Sequence, residues 1–254
     1  PLSRPRERGL GGEGLRPLLI GLLTLFLAWP ISADELPKPA APGPMDLFIQ
    51  LTRAQLANGG FERMEATVED RKTVWWQQGT GPTVVMVHGV SDQAGTWFQV
   101  ASRLAQTYRV LLVDLPGHGE SEPADGPLKM SMVLEGFEAW LHAHAGDGPV
   151  ILVGNSMGAW ISSLVALRHP ETVSLAVLVN GGPLRADTGD LDLVPADREE
   201  ARRLMAALRD PKSPQTPDPV LDDLVRRAQN GHVKRMLDEN EDLESHLLTP
   251  EQLK

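Results

Sequence analysis

A serine attacks a carbonyl only when its hydroxyl is held out from the fold, when a base takes its proton, and when donors face the developing oxyanion. Gly154-Asn155-Ser156-Met157-Gly158 has the residue types for the first condition. The five residues close a short apolar run and open a helical one, which places Ser156 on a sharp strand-to-helix turn. Such a turn strains the serine backbone and pushes Oγ outward, and its neighbours must be small. The helix start adds free N–H groups and a partial positive charge beside the reacting centre. One oxyanion donor is expected to be the N–H of Met157, directly after the serine. His88-Gly89-Val90-Ser91-Asp92 follows an earlier apolar run. There the N–H of Val90 is the expected second donor, with His88 pinning the loop that aims it. The chemistry is acyl transfer through a covalent intermediate on Ser156.

A third segment, Asp114-Leu115-Pro116-Gly117-His118-Gly119-Glu120-Ser121, could pass for a phosphate loop. Glu122 stands where a dinucleotide fingerprint needs its third glycine, and no G-x-x-x-x-G-K-[ST] occurs, which argues against nucleotide binding. No cofactor is expected. No metal is expected either: cysteine is absent, and His142 and His144, two apart on a helical segment, face different sides.

These motifs need a frame to hold them. Four apolar, β-rich runs at 83–88, 109–114, 150–154 and 175–180 read as strands buried on both faces. Helical segments at 95–106, 131–144 and 157–169 lie between or after them, so the class is α/β: a mostly parallel sheet with helices on both faces. Upstream, 45–58 has helical spacing, and 61–77 reads as an antiparallel hairpin turning at Glu69-Asp70-Arg71. Downstream, 183–195 is a polar loop, 212–219 is proline-rich, and 196–209, 220–230 and 233–239 are helical. No strand-like run follows Asn180.

The three motifs, in this order and spacing, resemble the α/β-hydrolase superfamily, and most of all its serine-using, cap-bearing, esterase-like branch. The likeness is strong over 61–182 and looser after it. It implies the N-terminal part of a hydrolase core over 45–182 and a helical cap over 183–254. Serine at 156 differs from the Asp of dehalogenases and epoxide hydrolases, which favours an acyl-enzyme over an alkyl-enzyme. In this family the Asp and His that activate the serine lie on later strands. Those strands are missing from this sequence, so they and the two residues are expected beyond Lys254, and the chain alone is expected to be inactive. Asp187 is a minority candidate for the acid. His169, His232 and His246 are expected to be solvated or to point away. The implied substrate is a small-molecule carboxylic ester or related acyl compound; C–C bond hydrolysis and acyl transfer are alternatives on the same fold. A non-catalytic binding protein is the alternative should no Asp and His exist.

Of the remaining features, Met205, Leu208, Leu221, Leu224 and Val225 are candidates for the inner side of the cap, and Trp97 for the pocket. The pairs Arg202-Arg203 and Arg226-Arg227 read as solvated faces. With 34 acidic against 24 basic residues and a net charge of −10, the surface argues against nucleic acid as a partner. Residues 1–33 read as a secretory signal: Arg4, Arg6, Arg8 and Arg16, an apolar run at 18–29, and Ile31-Ser32-Ala33 before the cut. The protein is therefore expected to be exported, periplasmic or secreted. The alternative is an anchor at 18–29, and membrane contact is expected only through that segment left uncleaved. Residues 34–44 form a Pro-rich tether. Nothing in the sequence speaks to oligomeric state.

Overall fold

The structure is a computed structural model that describes residues 41–182, 184 and 191–252. The segment read as a signal, most of the tether, and Asp187 lie outside the described residues.

Six strands form one sheet: β1 (Glu62–Val68), β2 (Arg71–Gln78), β3 (Thr83–Val87), β4 (Arg109–Val113), β5 (Val150–Asn155) and β6 (Val173–Val179). Their order is β1-β2-β4-β3-β5-β6. The last four strands across the sheet are mutually parallel, while β2 runs antiparallel to both β1 and β4. The hairpin turns at Glu69 and Asp70, both at positive φ (49° and 58°), as a two-residue turn with the twist of its strands requires.

Period-two alternation splits the core between the two faces. Val85, Val87, Leu111 and Val113 point to one side, onto α3 (Met130–His144) and α4 (Met157–Arg168), where Phe137, Trp140 and Ile161 are buried. Val84, Met86, Val110 and Leu112 point to the other, onto α1 (Pro44–Asn58) and α2 (Phe98–Leu104), with Leu56 and Ala101 beneath. The segment expected as one helix at 95–106 is a 3-10 turn, Ala94–Trp97, leading into α2. Trp97, a pocket candidate, packs instead against this second core.

The burial expected of the fourth run is corrected. β6 is the edge of the sheet, and Leu175, Val177 and Leu178 are 53%, 39% and 46% exposed. Pairing puts Leu175 beside Ile151 and Val177 beside Val153, on the face carrying α1 and α2. Those helices pack over the other half of the sheet, so Ile151 and Val153 are themselves only half-buried.

After β6 come α5 (Arg198–Leu208), α6 (Asp218–Ala228), α7 (His232–Leu237) and α8 (Asn240–Ser245). Leu221 and Ala201 are buried, whereas Leu208 is 67% exposed. Arg226 is exposed, as expected, whereas Arg227 is half-buried. They pair with Asp46 of α1 and with the buried Asp223. The Met45 N–H also donates to Asp223 at 2.9 Å, which fastens α1 to α6. Arg202 likewise pairs with Glu199 and Asp218. Among the described residues no helix is long and apolar enough to cross a membrane.

Candidate active site

From β3 the chain crosses to β4 on one side and returns to β5 on the other. At such a switch point the loops leaving two adjacent strands diverge and open a crevice at their carboxyl ends. The loop after β3 holds His88 to Asp92, and the turn after β5 holds Ser156.

Ser156 sits at φ 55°, ψ −118°, between the end of β5 and the first residue of α4. This conformation is costly for a residue with a side chain and persists only where the surroundings enforce it. Here they do. The Ser156 N–H donates to Val179 O at 2.9 Å, and its carbonyl accepts from Ala159 at 3.0 Å. The two flanking glycines permit the crossing: a Cβ on Gly154 would meet Gly158 O at 2.2 Å, and one on Gly158 would meet Val87 O at 2.1 Å. No other residue fits at either place. Behind the serine, a Cβ on Gly181 would stand 2.7 Å from its Cα, a constraint the sequence reading did not identify. The Ser156 side chain is exposed.

Met157 opens α4, so no preceding turn supplies a carbonyl for its N–H. Gly89 lies against the serine, since its Cβ would be 3.2 Å from Ser156 Cβ, and Val90 is the next residue. His88 is fully buried; its Nε2 accepts from the Leu115 N–H at 3.1 Å, so Nδ1 carries the proton and donates to Gly89 O at 2.7 Å. Across a trans peptide the C=O and N–H point in opposite directions. Holding Gly89 O toward His88 therefore turns the Val90 N–H away from it.

The third motif is a structural knot. The buried Asp114 carboxylate accepts from the Ala94 N–H at 2.7 Å and the Glu120 N–H at 2.8 Å, and it meets Arg53 at 3.4 Å. Ser121 Oγ donates to Asp114 O at 2.7 Å and accepts from the Val74 N–H at 2.9 Å.

None of the seven histidines hydrogen-bonds the Ser156 hydroxyl among the described residues. His169 faces Glu138 and Glu171 at the far end of α4. His144 packs on Trp75. His246 engages the Asp242 carbonyl. His232, expected to be solvated, is instead stacked on His118 with ring centroids 4.2 Å apart. Burial, reinforced by the charge of Arg235, pushes His232 down to about 4. Burial, then His232 and His88, hold His118 well below the usual imidazole range. No signal in the sequence announces this stack. Among the described residues no group of three or more His, Asp or Glu could hold a metal ion.

A family model described as "alpha/beta hydrolase fold" matches residues 82–215. An (E)-2-((N-methylformamido)methylene)succinate hydrolase of Acinetobacter baylyi is 33% identical over 116 residues, 44% of this chain and 42% of its own. A pimeloyl-[acyl-carrier protein] methyl ester esterase of Vibrio vulnificus is 36% identical over 109 residues, 43% of this chain and 40% of its own. The chain thus matches less than half the length of these curated relatives. Among solved structures, a bacterial membrane phospholipase A superposes with a TM-score of 0.64 at 24% identity, covering 92% of this chain and 76% of that one.

Proposed function

This chain belongs to the α/β-hydrolase fold family, and on that premise we propose that it is a serine hydrolase that cleaves carboxylic esters through an acyl-enzyme on Ser156. One observation carries the reading: an exposed serine at φ 55° on a helix N-terminus, with the Gly89–Val90 loop against it. The relatives named as an esterase and a hydrolase support the same class.

In this reading Ser156 Oγ attacks the ester carbonyl carbon while its proton passes to a general base. The carbonyl oxygen becomes an oxyanion between the N–H groups of Val90 and Met157. The C–O bond then breaks, the alcohol departs with the proton, and water hydrolyses the acyl-enzyme by the same route. None of the described histidines hydrogen-bonds Ser156, so the reading requires a base, oriented by an acid, outside the described residues. The helices α5 to α8 act as a cap that gates and shapes the acyl pocket. Residues 1–33 direct export, and N-terminal sequencing of the mature protein would then begin at Asp34.

The test is Ser156→Ala in the whole protein. Labelling by a serine-directed phosphonate and ester turnover should both vanish; labelling that persists would sink the assignment. A panel of esters set against vinylogous diketones, with only the diketones cleaved, would move the reaction to C–C hydrolysis.

A further inference from the structure

Helix α7 is docked on the Gly117–Gly126 segment at three points. His232 stacks on His118 at 4.2 Å and 16°. Arg235 donates to the carbonyls of Pro123, Ala124 and Gly126 at 3.3, 3.4 and 2.7 Å. Met236 enters the core that also holds α3 and α4. His118, 1% exposed, does not end the chain of contacts. Its ring lies 5.3 Å from that of His88, and His88 Nδ1 holds the carbonyl of Gly89. His118 Nδ1 donates to Pro116 O at 3.1 Å, while its buried Nε2 has no partner among the described residues. That ring therefore meets two other imidazoles, one stacked and one tilted, and makes one hydrogen bond.

We propose that the column His232–His118–His88 is a clasp, through which docking of α7 fixes the loop that carries the Val90 N–H. The oxyanion donor is aligned while α7 is seated and loosens when it leaves. The clasp rests on the serine-hydrolase reading only for what Val90 does; the mechanical link stands without it.

The clasp also requires neutral rings. A proton on His232 would face Arg235 and Arg227 in addition to His88 and His118, with Asp125 near Arg235 as the sole carboxylate among the groups acting there. Docked, His232 titrates at about 4, against 6.5 when free. Docking is therefore at full strength above pH 6.5, weakens as the pH falls toward 4, and loses no more through this ring once both states are protonated. The ratio of docked to undocked α7 falls by on the order of 10²-fold across that window.

Hydrogen exchange on the whole protein, wild type against His232→Ala and His232→Phe, decides the matter. His232→Ala should speed exchange of 232–237 and of 88–92 together, by about tenfold or more, and leave β3 and β5 protected. His232→Phe keeps a ring on His118, so it should return 88–92 to within about threefold of wild type and flatten the fall in α7 protection between pH 6.5 and 4. If His232→Ala loosens 232–237 while 88–92 stays as protected as before, the link is absent and the proposal falls. It falls equally if His232→Phe behaves as His232→Ala. In turnover, His232→Ala should lower kcat more than it raises KM, because an oxyanion donor acts in the transition state; a change in KM alone would mean that His232 only packs the helix. Wild-type protein that takes no phosphonate would end the serine-hydrolase reading and leave the exchange result to stand or fall separately.

Discussion

Two glycine-bearing loops leave the carboxyl ends of β4 and β5, on either side of β3, and they treat their polar side chains in opposite ways. After β4, Asp114 is fully buried, and its oxygens are met by two backbone N–H groups and Arg53. After β5, Ser156 is exposed and held at a strained φ of 55°. Polar groups that serve the fold are satisfied, because leaving a buried one unpaired costs about 1–3 kcal/mol. A group that serves chemistry must stay free for the substrate, and in the proposed reading the strain is stored where the reaction would take place. The contrast separates a knot from the proposed reaction centre without appeal to motif names.

The sharpest way to break this contrast is to remove each side chain in turn. Ser156→Ala should cost about 10⁴-fold or more in turnover, while the urea midpoint stays within about 0.5 kcal/mol of wild type. Asp114→Ala should do the reverse, removing about 3–5 kcal/mol of stability by leaving two backbone N–H groups without their acceptor and Arg53 with Glu120 as its remaining carboxylate partner. Equal loss of stability in the two variants would mean that Ser156 is part of the scaffold.

Gly158→Ala lies between these extremes. Its Cβ would meet Val87 O at 2.1 Å, and both partners are backbone, so α4 must move off β3. A stability loss of about 2–3 kcal/mol is expected, together with a fall in turnover, since the same shift drags the Met157 N–H. Unaltered kcat in a folded Gly158→Ala variant would argue that the Met157 N–H is not aimed at the oxyanion.

Much of this was legible in the sequence, for a physical reason. β3, β4 and β5 are covered by helices on one or both faces, so they appear as uninterrupted apolar runs, and the strands fall within two residues of the positions expected. β6 carries the same kind of run but, among the described residues, has a neighbour on one side only. Composition records what a strand can bury, and the neighbours decide what it does bury. The turn at Ser156 and the approach of Gly89 to it were legible because close approach of backbone demands glycines at fixed spacing, which leaves a mark in the chain. The partners of His118, Arg226 and Arg227 left none. Each is set by a contact between segments far apart in sequence, His232 on His118 and Asp46 on Arg227, and nothing local distinguishes a stacked histidine or a clamped arginine from a solvated one. Helix α8 was missed because Asn240–Ser245 offers only Leu243 to an apolar stripe.

A second buried carboxylate extends the comparison to the C-terminal helices, with a smaller effect. The Asp223 side chain is 3% exposed. Burial alone would raise its pKa, but the Met45 N–H, Arg226 and Arg227 outweigh that and hold it below the usual carboxylate range. The ionised form is favoured in the folded state, so its contribution is present above the unfolded value of 3.8 and is lost as the pH falls through the folded one. Asp223→Asn should cost about 1–2 kcal/mol at pH 7, read as a shift in urea midpoint. The gap between variant and wild type should begin to narrow as the pH drops below about 4, where the unfolded chain takes up the proton, and go on narrowing until the folded carboxyl, held lower, is protonated too and the two side chains become alike in charge. A gap of constant size from pH 7 to pH 3 would show that Asp223 fastens α1 to α6 by shape and hydrogen bonding rather than by its charge, and would set it apart from Asp114.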